Sequence, residues 1–191
     1  LGAIGLPIAQ NLLKSGFEIQ VHTRSNIYEK CSSLKGAKIC SSSKEAAQGA
    51  KIFLLCVTDD EAVEDVLFGK EGAYKSLQKG AIIIDFSAIS PSKAKFIFDR
   101  FRSNGIRYID APVTGGTEGA RLGELTIFLG CKPNLFTKIS HILDTISSHC
   151  YCFDEVGKGQ EVKVINQILI AGIYSALSEA IALGQNLELP M

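Results

Sequence analysis

Four clusters of residues in this sequence have types and spacings that could do chemistry. The first is at the front, where Gly2 and Gly5 flank a turn that leads directly into a helix-like stretch. A glycine before Leu1 would complete G-x-G-x-x-G, a pattern that allows a tight turn and close approach of the backbone to a pyrophosphate. The N–H groups at the helix start would then face the phosphates. We therefore expect a dinucleotide-binding turn at Gly2, Ala3, Ile4 and Gly5, with an ordinary glycine-containing turn as the alternative.

The second cluster follows an apolar run about 20 residues further on. It consists of Thr23, Arg24 and Ser25. Dinucleotide folds that prefer NAD usually place an acidic residue here for the ribose 2′-OH, whereas an arginine fork with hydroxyls suits a 2′-phosphate. These residues favour NADP as the cofactor, with NAD possible and a solvated surface arginine as the plain alternative.

The third and fourth clusters lie in the second half of the chain. Gly115 and Gly116 stand side by side between two strand-like runs. Glycine within a structure costs folding entropy, so either the turn is geometrically awkward or a ligand approaches the backbone closely. Lys163, Asn166 and Gln167 have i, i+3, i+4 spacing and would share one face of a helix. Spacing alone favours a solvated lysine at position 163.

Strand-like and helix-like stretches alternate along the chain and must position these clusters. Ser90 followed by Pro91 is typical of a helix start. The apolar runs typical of strands are residues 17–22, 52–57, 81–86, 106–109, 125–129 and 150–153, and the helix-like stretches are residues 4–14, 27–34, 60–67, 91–103 and 133–146. This alternation predicts βαβ units and a parallel sheet.

The last part of the chain predicts a different arrangement. Residues 157–187 contain no proline, and a helix of that extent would be roughly 45 Å long, too long for one small domain. Its apolar residues cover more than one face, so a second domain or a partner subunit should pack there. We expect one domain over residues 1–156, the long helix and the start of a second domain over residues 157–191, and most of that domain beyond Met191.

Composition narrows the function class. The 191 residues are 46% hydrophobic, and 20 Lys and Arg balance 20 Asp and Glu. This gives no reason to expect nucleic acid or an anionic membrane as a partner. We see no signal peptide and no apolar run near the roughly 20 residues of a membrane span. The six cysteines show neither C-x-x-C nor zinc-site spacing, which predicts free thiols, no metal, and a cytoplasmic protein.

Four motifs in order resemble those of the β-hydroxyacid dehydrogenases, the family of 3-hydroxyisobutyrate dehydrogenase, tartronate semialdehyde reductase and glyoxylate/succinic semialdehyde reductases. LGAIGLPIAQNLLKSGFEIQVHTRS is similar to the cofactor signature, DFSAISP to the D-x-S-T-x-x-P stretch, DAPVTGGTEGARLGELTIFLGC to the substrate signature and GKGQEVKVINQ to the catalytic-lysine signature. The resemblance implies an α/β, Rossmann-type doubly wound, mostly parallel sheet, then a long interdomain helix and an all-α C-terminal domain. It also implies hydride transfer between NADP or NAD and a small β-hydroxyacid or semialdehyde.

The resemblance assigns roles to the third and fourth clusters. Lys163 would be the general acid/base, with Asn166 or Gln167 orienting it or the substrate hydroxyl. The family often has Asn at both supporting positions, so Gln167 leaves that role open. Thr114 stands where the family usually has Ser, and its hydroxyl would bind the substrate carboxylate together with the N–H groups of Gly115 and Gly116.

On the cofactor side, Ala88 stands where the family usually has Thr, so a hydroxyl is missing and we expect Ser87 to substitute. The resemblance also places Ser87 among the substrate-binding residues, with Thr114, Gly115 and Gly116. Val57 and Thr58 would line the nicotinamide ribose. The alternatives are an NAD-dependent 3-hydroxyisobutyrate dehydrogenase and a non-catalytic dinucleotide-binding module, which the presence of Lys163 disfavours. A carboxylate-bearing aldehyde or hydroxyacid is the expected partner, with a homo-oligomer formed through the long helix and the C-terminal domain.

Overall fold

Strands and helices alternate in the computed structural model, which describes residues 1–24 and 32–190. The helices described are α1 (Gly5–Lys14), α2 (Ser43–Ala46), α3 (Asp60–Phe68), α4 (Pro91–Arg102), α5 (Gly116–Leu122), α6 (Pro133–Leu143) and α7 (Lys158–Asn186), with a 3-10 turn at Ala73–Lys75. The strands are β1 (Gln20–Val21), β2 (Lys38–Ile39), β3 (Ile52–Leu55), β4 (Ile82–Asp85), β5 (Arg107–Asp110), β6 (Val113–Thr114), β7 (Leu125–Leu129) and β8 (Ser147–Cys152).

The strands pair mostly in parallel, as the βαβ pattern predicts. β1 pairs with β2, and β3, β4 and β5 follow one another in order, all in parallel. β7 runs parallel to β8 and antiparallel to β6. A bridge between Asp110 and Gly130 links the end of β5 to the end of β7. The predicted parallel α/β fold is therefore confirmed, with its sheet divided into three hydrogen-bonded groups.

The core lies on both faces of the central strands. All four residues of β4 are buried. Ile84 belongs to a cluster shared with α1, α6 and β7, whereas Ile83 belongs to a cluster shared with α3 and α4. Successive strand residues point to opposite faces, so helices on both faces require a continuous apolar run. This explains why the runs at residues 52–57 and 81–86 show no alternation of polar residues.

Local signals place several boundaries correctly. The Ser90 side chain accepts a hydrogen bond from the Lys93 amide at 3.3 Å, with Pro91 at the first helical position, as predicted. The run at residues 17–22 forms only the short strand Gln20–Val21, and the strand predicted at residues 150–153 begins earlier, at Ser147. Most of the helix predicted at residues 27–34 lies outside the described residues.

The long helix is present as α7, with 29 residues. Its buried residues are Gly159, Gln160 and Gly184, whereas large apolar side chains such as Ile168 and Ile173 are 67% and 65% exposed. By length and composition α7 could cross a membrane, so the expectation that no run approaches such a span is wrong for this helix. Length and composition alone are weak evidence for a membrane span, because a helix that packs against other protein has the same composition.

Candidate functional site

The predicted cofactor residues lie at the start of α1 and at or just after the carboxyl ends of β1, β3 and β4, where open α/β sheets bind ligands. The predicted catalytic residues Lys163, Asn166 and Gln167 lie in α7. A cleft of about 1440 Å³ opens among α1, β1 and β3. Its apolar floor runs between β1 and β3, which do not pair within residues 1–24 and 32–190. The predicted cofactor residues that line this cleft are Gly2, Gly5, Thr23, Arg24, Val57 and Thr58. The fold thus gathers residues from three separate motifs around one opening.

The front turn leaves its backbone open. α1 begins at Gly5 with no side-chain capping bond. In its first turn the Leu6 amide donates to the Gly2 carbonyl at 3.0 Å, and Pro7 has no N–H group. A Cβ placed on Gly2 would meet nothing within 4 Å, whereas one on Gly5 would lie 3.5 Å from the Cβ of Cys56, at the end of β3. The turn therefore has open space in front of its backbone and close helix–strand packing behind it.

The end of β1 places a positive charge at the mouth of the cleft. Thr23 is buried and Arg24 is exposed, while Ser25 lies outside the described residues. Hydrogen bonds from the Thr58 hydroxyl and from the amide at the start of α3 lower the pKa of Asp59, and the charge of Arg24 contributes to this shift. Arg24 therefore lies near a carboxylate on the opposite side of the opening.

The ends of β3 and β4 are joined by a buried polar network. The Val57 amide donates to the Ser87 hydroxyl at 2.9 Å, and the Ser87 amide donates to Asp85 at 2.9 Å. The Tyr108 hydroxyl donates to the other Asp85 oxygen at 2.8 Å. Burial raises the pKa of Asp85 to about 6, and the nearby Asp110 charge adds to this. Ser87 is itself fully buried, so here its hydroxyl connects two strands, and its contact with substrate stays a prediction.

Ala88 follows Ser87 and faces the long helix. It is exposed and lines a second pocket, of about 400 Å³, together with Lys163 and Gln167. The structure thus brings the predicted cofactor residue at position 88 to the same small pocket as two predicted catalytic residues.

The paired glycines have a conformational role. Gly115 and Gly116 have φ angles of +119° and +63°, values that side chains disfavour and glycine adopts readily. A Cβ at Gly116 would meet nothing within 4 Å. The geometry of the turn accounts for both glycines, and the same turn leaves both residues exposed at the surface.

The start of α7 brings the two last clusters together. The Asn166 side-chain amide donates to the Thr114 hydroxyl at 3.4 Å and to the Gln167 side-chain oxygen at 3.3 Å. Lys163 is half-buried on the same helix, and burial lowers the pKa of its ammonium below the ordinary value. A partly desolvated amine with a lowered pKa gives up its proton more readily than a solvated lysine.

Two buried polar residues at this edge escaped the sequence analysis. Asp110 accepts hydrogen bonds from the amides of Gly157 at 2.8 Å and Gln160 at 3.0 Å. The Gln160 side chain accepts from the Ile89 amide at 3.2 Å and donates to the Ser87 carbonyl at 2.8 Å. The sequence carries one signal for Asp110, an acidic residue directly after the apolar part of a strand. Acidic residues are almost never fully buried unless they are paired, so an aspartate in this position predicts a buried partner.

The thiol prediction is confirmed for the cysteines described. Cys31 lies outside the described residues. The cysteines described are free thiols, namely Cys40, Cys56, Cys131, Cys150 and Cys152. Among residues 1–24 and 32–190, no three His, Cys, Asp or Glu side chains cluster as metal ligands would.

Comparisons with known proteins agree with this arrangement. Residues 1–157 match the family model described as the NAD binding domain of 6-phosphogluconate dehydrogenase. The chain is 34% identical over 184 residues to 2-(hydroxymethyl)glutarate dehydrogenase of Eubacterium barkeri, covering 96% of this chain and 61% of that one. It is 35% identical over 181 residues to 2-hydroxy-3-oxopropionate reductase of Escherichia coli K12, covering 95% and 62%. The chain thus spans about three-fifths of the length of these relatives.

A solved structure shows a similar fold with a ligand. The structure described as Psf3 in complex with NADP+ and 2-OPP superposes with a TM-score of 0.92 at 29% sequence identity, over 99% of this chain and 67% of that one.

Proposed function

The chain belongs to the β-hydroxyacid dehydrogenase family, through an NAD-binding domain of the 6-phosphogluconate dehydrogenase type, and on that premise we propose that it serves hydride transfer between a nicotinamide cofactor and a small β-hydroxyacid or semialdehyde. The observation that carries the proposal is the contact between Asn166 and Thr114. It places the helix of Lys163 against the glycine loop, and Lys163 itself lines a small pocket with Ala88.

The residues present fit a dinucleotide. The Gly5 amide at the start of α1 and the backbone of the turn before it would face a pyrophosphate, and the space in front of Gly2 admits it. The neighbouring Ala3 and Ile4 complete this turn, and Arg24 would bind a 2′-phosphate with a charge-assisted fork. NADP is therefore the favoured cofactor. The NADP+ in the Psf3 structure supports this choice.

The remaining cofactor contacts belong to the strand ends. Val57 and Thr58 line the cleft from β3 and would contact the nicotinamide ribose. Ala88 lacks the hydroxyl that would help them, so we expect weaker ribose binding there. Thr23 and Ser25 would add hydroxyl groups near Arg24.

The chain's own residues would supply the proton and hold the substrate. When bound, the nicotinamide supplies or accepts the hydride. Lys163 protonates the carbonyl oxygen during reduction and takes the hydroxyl proton during oxidation, and its charge stabilises the developing alkoxide. Its lowered pKa assists the second role, because a larger fraction of the amine is then neutral. Asn166 and Gln167 orient Lys163 or the substrate hydroxyl.

The substrate would be a small aldehyde or hydroxyacid that carries a carboxylate. The exposed N–H groups of Gly115 and Gly116 and the Thr114 hydroxyl can bind that carboxylate without competition from a side chain. Ser87, which is joined to Val57 and Gln160, stays a predicted substrate-binding residue. The balanced charge of the chain favours such a ligand over nucleic acid, and we place the protein in the cytoplasm as a homo-oligomer held through α7.

The test is an assay of the full-length protein with NADPH and NADH against glyoxylate, succinic semialdehyde, tartronate semialdehyde and methylmalonate semialdehyde. Lys163→Met should lower kcat roughly 100- to 10,000-fold, the range of general acid–base catalysis. The matched control is Lys158→Met, five residues earlier on the same helix, where the exposed lysine pairs with Glu161. The control should retain kcat.

The outcomes separate the candidate functions. Turnover that prefers NADPH and depends on Lys163 supports the reductase. Turnover of methylmalonate semialdehyde with a preference for NADH would instead indicate an NAD-dependent 3-hydroxyisobutyrate dehydrogenase. Cofactor binding without turnover of any substrate would overturn the catalytic proposal in favour of a dinucleotide-binding module.

A further inference from the structure

The start of α7 is bound to the strand ends by a buried carboxylate. Asp110 is 0% exposed at the end of β5, and its two oxygens accept from the Gly157 and Gln160 amides. These amides belong to the first turn of the helix, where N–H groups have no partner within the helix. Asp110 therefore fixes both the position and the direction in which α7 begins.

The packing around this contact leaves little room for a side chain at Gly157 or Gly159. A Cβ on Gly159 would overlap the Phe128 carbonyl oxygen and lie 2.9 Å from an Asp110 oxygen. Gly157 has a φ of +92°, and a Cβ there would lie 2.8 Å from the Lys95 side chain. Gly159 therefore packs directly against backbone, and the positive φ of Gly157 favours glycine at that position as well.

Gln160 adds a second connection, to the loop after β4. Its side chain is bonded in both directions, accepting from the Ile89 amide and donating to the Ser87 carbonyl. The residue is 1% exposed, so water does not replace these bonds. Residues three apart lie on one face of a helix, and Lys163 is three residues after Gln160. The hydrogen bonds of the Gln160 side-chain amide thus fix the rotation of α7 about its axis. This rotation sets where the helix face that carries Lys163 lies relative to Ser87 and Ala88.

We propose that Gln160 and Asp110 are positioning residues for Lys163, which hold its helix turn in register with the ends of β4 and β5. This role rests on the proposed catalytic function of Lys163. Gln160 lines the small pocket beside Lys163, but both polar atoms of its side chain are bonded to backbone, so it acts through the helix. A misplacement of about 1 Å at a reacting group can lower the rate roughly 100-fold, so the register of this turn governs kcat.

The experiment compares Gln160→Met with Gln160→Glu in the full chain. Methionine keeps the length of the side chain and removes both hydrogen bonds, so kcat for reduction should fall roughly 100-fold. The Kd for NADPH, read by fluorescence, should stay within about twofold, since Gln160 bonds the loop after β4, whereas most of that site lies at α1 and the ends of β1 and β3. The matched control is Glu161→Gln, a change at the next, more exposed position, which removes ion pairs to Lys95 and Lys158. The control should retain kcat.

Gln160→Glu tests the register directly and keeps the proposal open to refutation if the methionine variant does not fold. A protonated glutamic acid can donate to the Ser87 carbonyl and accept from the Ile89 amide, whereas a carboxylate cannot donate. The ratio of its kcat to that of the unsubstituted chain should therefore rise about tenfold as the pH falls from 8 to 5.5. For Gln160→Met the same ratio should not change with pH. A role in stability alone would not give this difference.

Three results would overturn the proposal. The first is a kcat for Gln160→Met equal to that of Glu161→Gln while Lys163→Met is inactive. This result would refute the positioning role and leave the proposed function intact. The second is a pH-independent ratio for Gln160→Glu. The third is an unsubstituted chain with no turnover of any substrate, which removes the proposed function and the positioning role together.

Discussion

Replacing Asp85 by asparagine should change how the free energy of unfolding depends on pH. The carboxyl is fully buried and accepts from the Ser87 amide and the Tyr108 hydroxyl. Asparagine has nearly the same shape; its oxygen can accept from Ser87, and its NH₂ group can donate to the Tyr108 oxygen once that hydroxyl rotates. The substitution therefore removes a titrating group while both polar contacts remain possible.

The magnitude follows from the raised pKa of Asp85, about 6 against the usual 3.8. Because the folded state binds this proton more tightly than the unfolded state, the contribution is fully present below the unfolded pKa and is lost as the pH rises through about 6. The whole shift corresponds to about 3 kcal/mol, of which about 2 kcal/mol falls between pH 4.5 and 7.5. Asp85→Asn lacks this loss, so its stability relative to the unsubstituted chain should increase with pH.

Urea unfolding followed by circular dichroism at pH 4.5, 6 and 7.5 measures this difference. Asp99→Asn, the same change at an exposed position of α4, is the control and should follow the unsubstituted chain at each pH. The free energy of Asp85→Asn relative to the unsubstituted chain should rise by about 2 kcal/mol from the lowest pH to the highest. Parallel curves would refute the reasoning, because they would mean that folding does not raise the pKa of this carboxyl.

Three further predictions concern the cleft and the long helix. Arg24→Ala should raise the Kd for NADPH about 10- to 100-fold and leave that for NADH nearly unchanged; equal losses in fluorescence titrations would contradict contact with a 2′-phosphate. Burial raises the pKa of the Cys56 thiol to about 11, so DTNB at pH 7.5 should label it only after unfolding, and mass spectrometry of the labelled peptide checks this. Gly159→Ala should destabilise the protein by about 3 kcal/mol or more in thermal melts because its Cβ would overlap a backbone carbonyl. Gly172→Ala, where a Cβ meets nothing within 4 Å, should stabilise the helix by about 0.5–1 kcal/mol.

Short-range patterns predict much of this fold. The apolar runs at residues 52–57 and 81–86 become β3 and β4 because a strand covered on both faces needs apolar residues throughout. Ser90 and Pro91 start α4 through a hydrogen bond that spans three residues. The apolar run at residues 17–22 is less informative, because only Gln20–Val21 form a strand there. The ends of this strand are set by its pairing with Lys38–Ile39, which the run itself does not reveal.

The sequence by itself determined the alternation of strands and helices, the motifs and their order, because each depends on neighbours within a few positions. Only the tertiary structure decided that Asp110 receives the start of α7, that Gln160 bonds the loop at Ser87, and that Asn166 meets Thr114. These pairs are 47, 73 and 52 residues apart. No periodicity in the chain encodes such separations. They follow from the packing that brings the strand ends and the first turns of α7 to one edge.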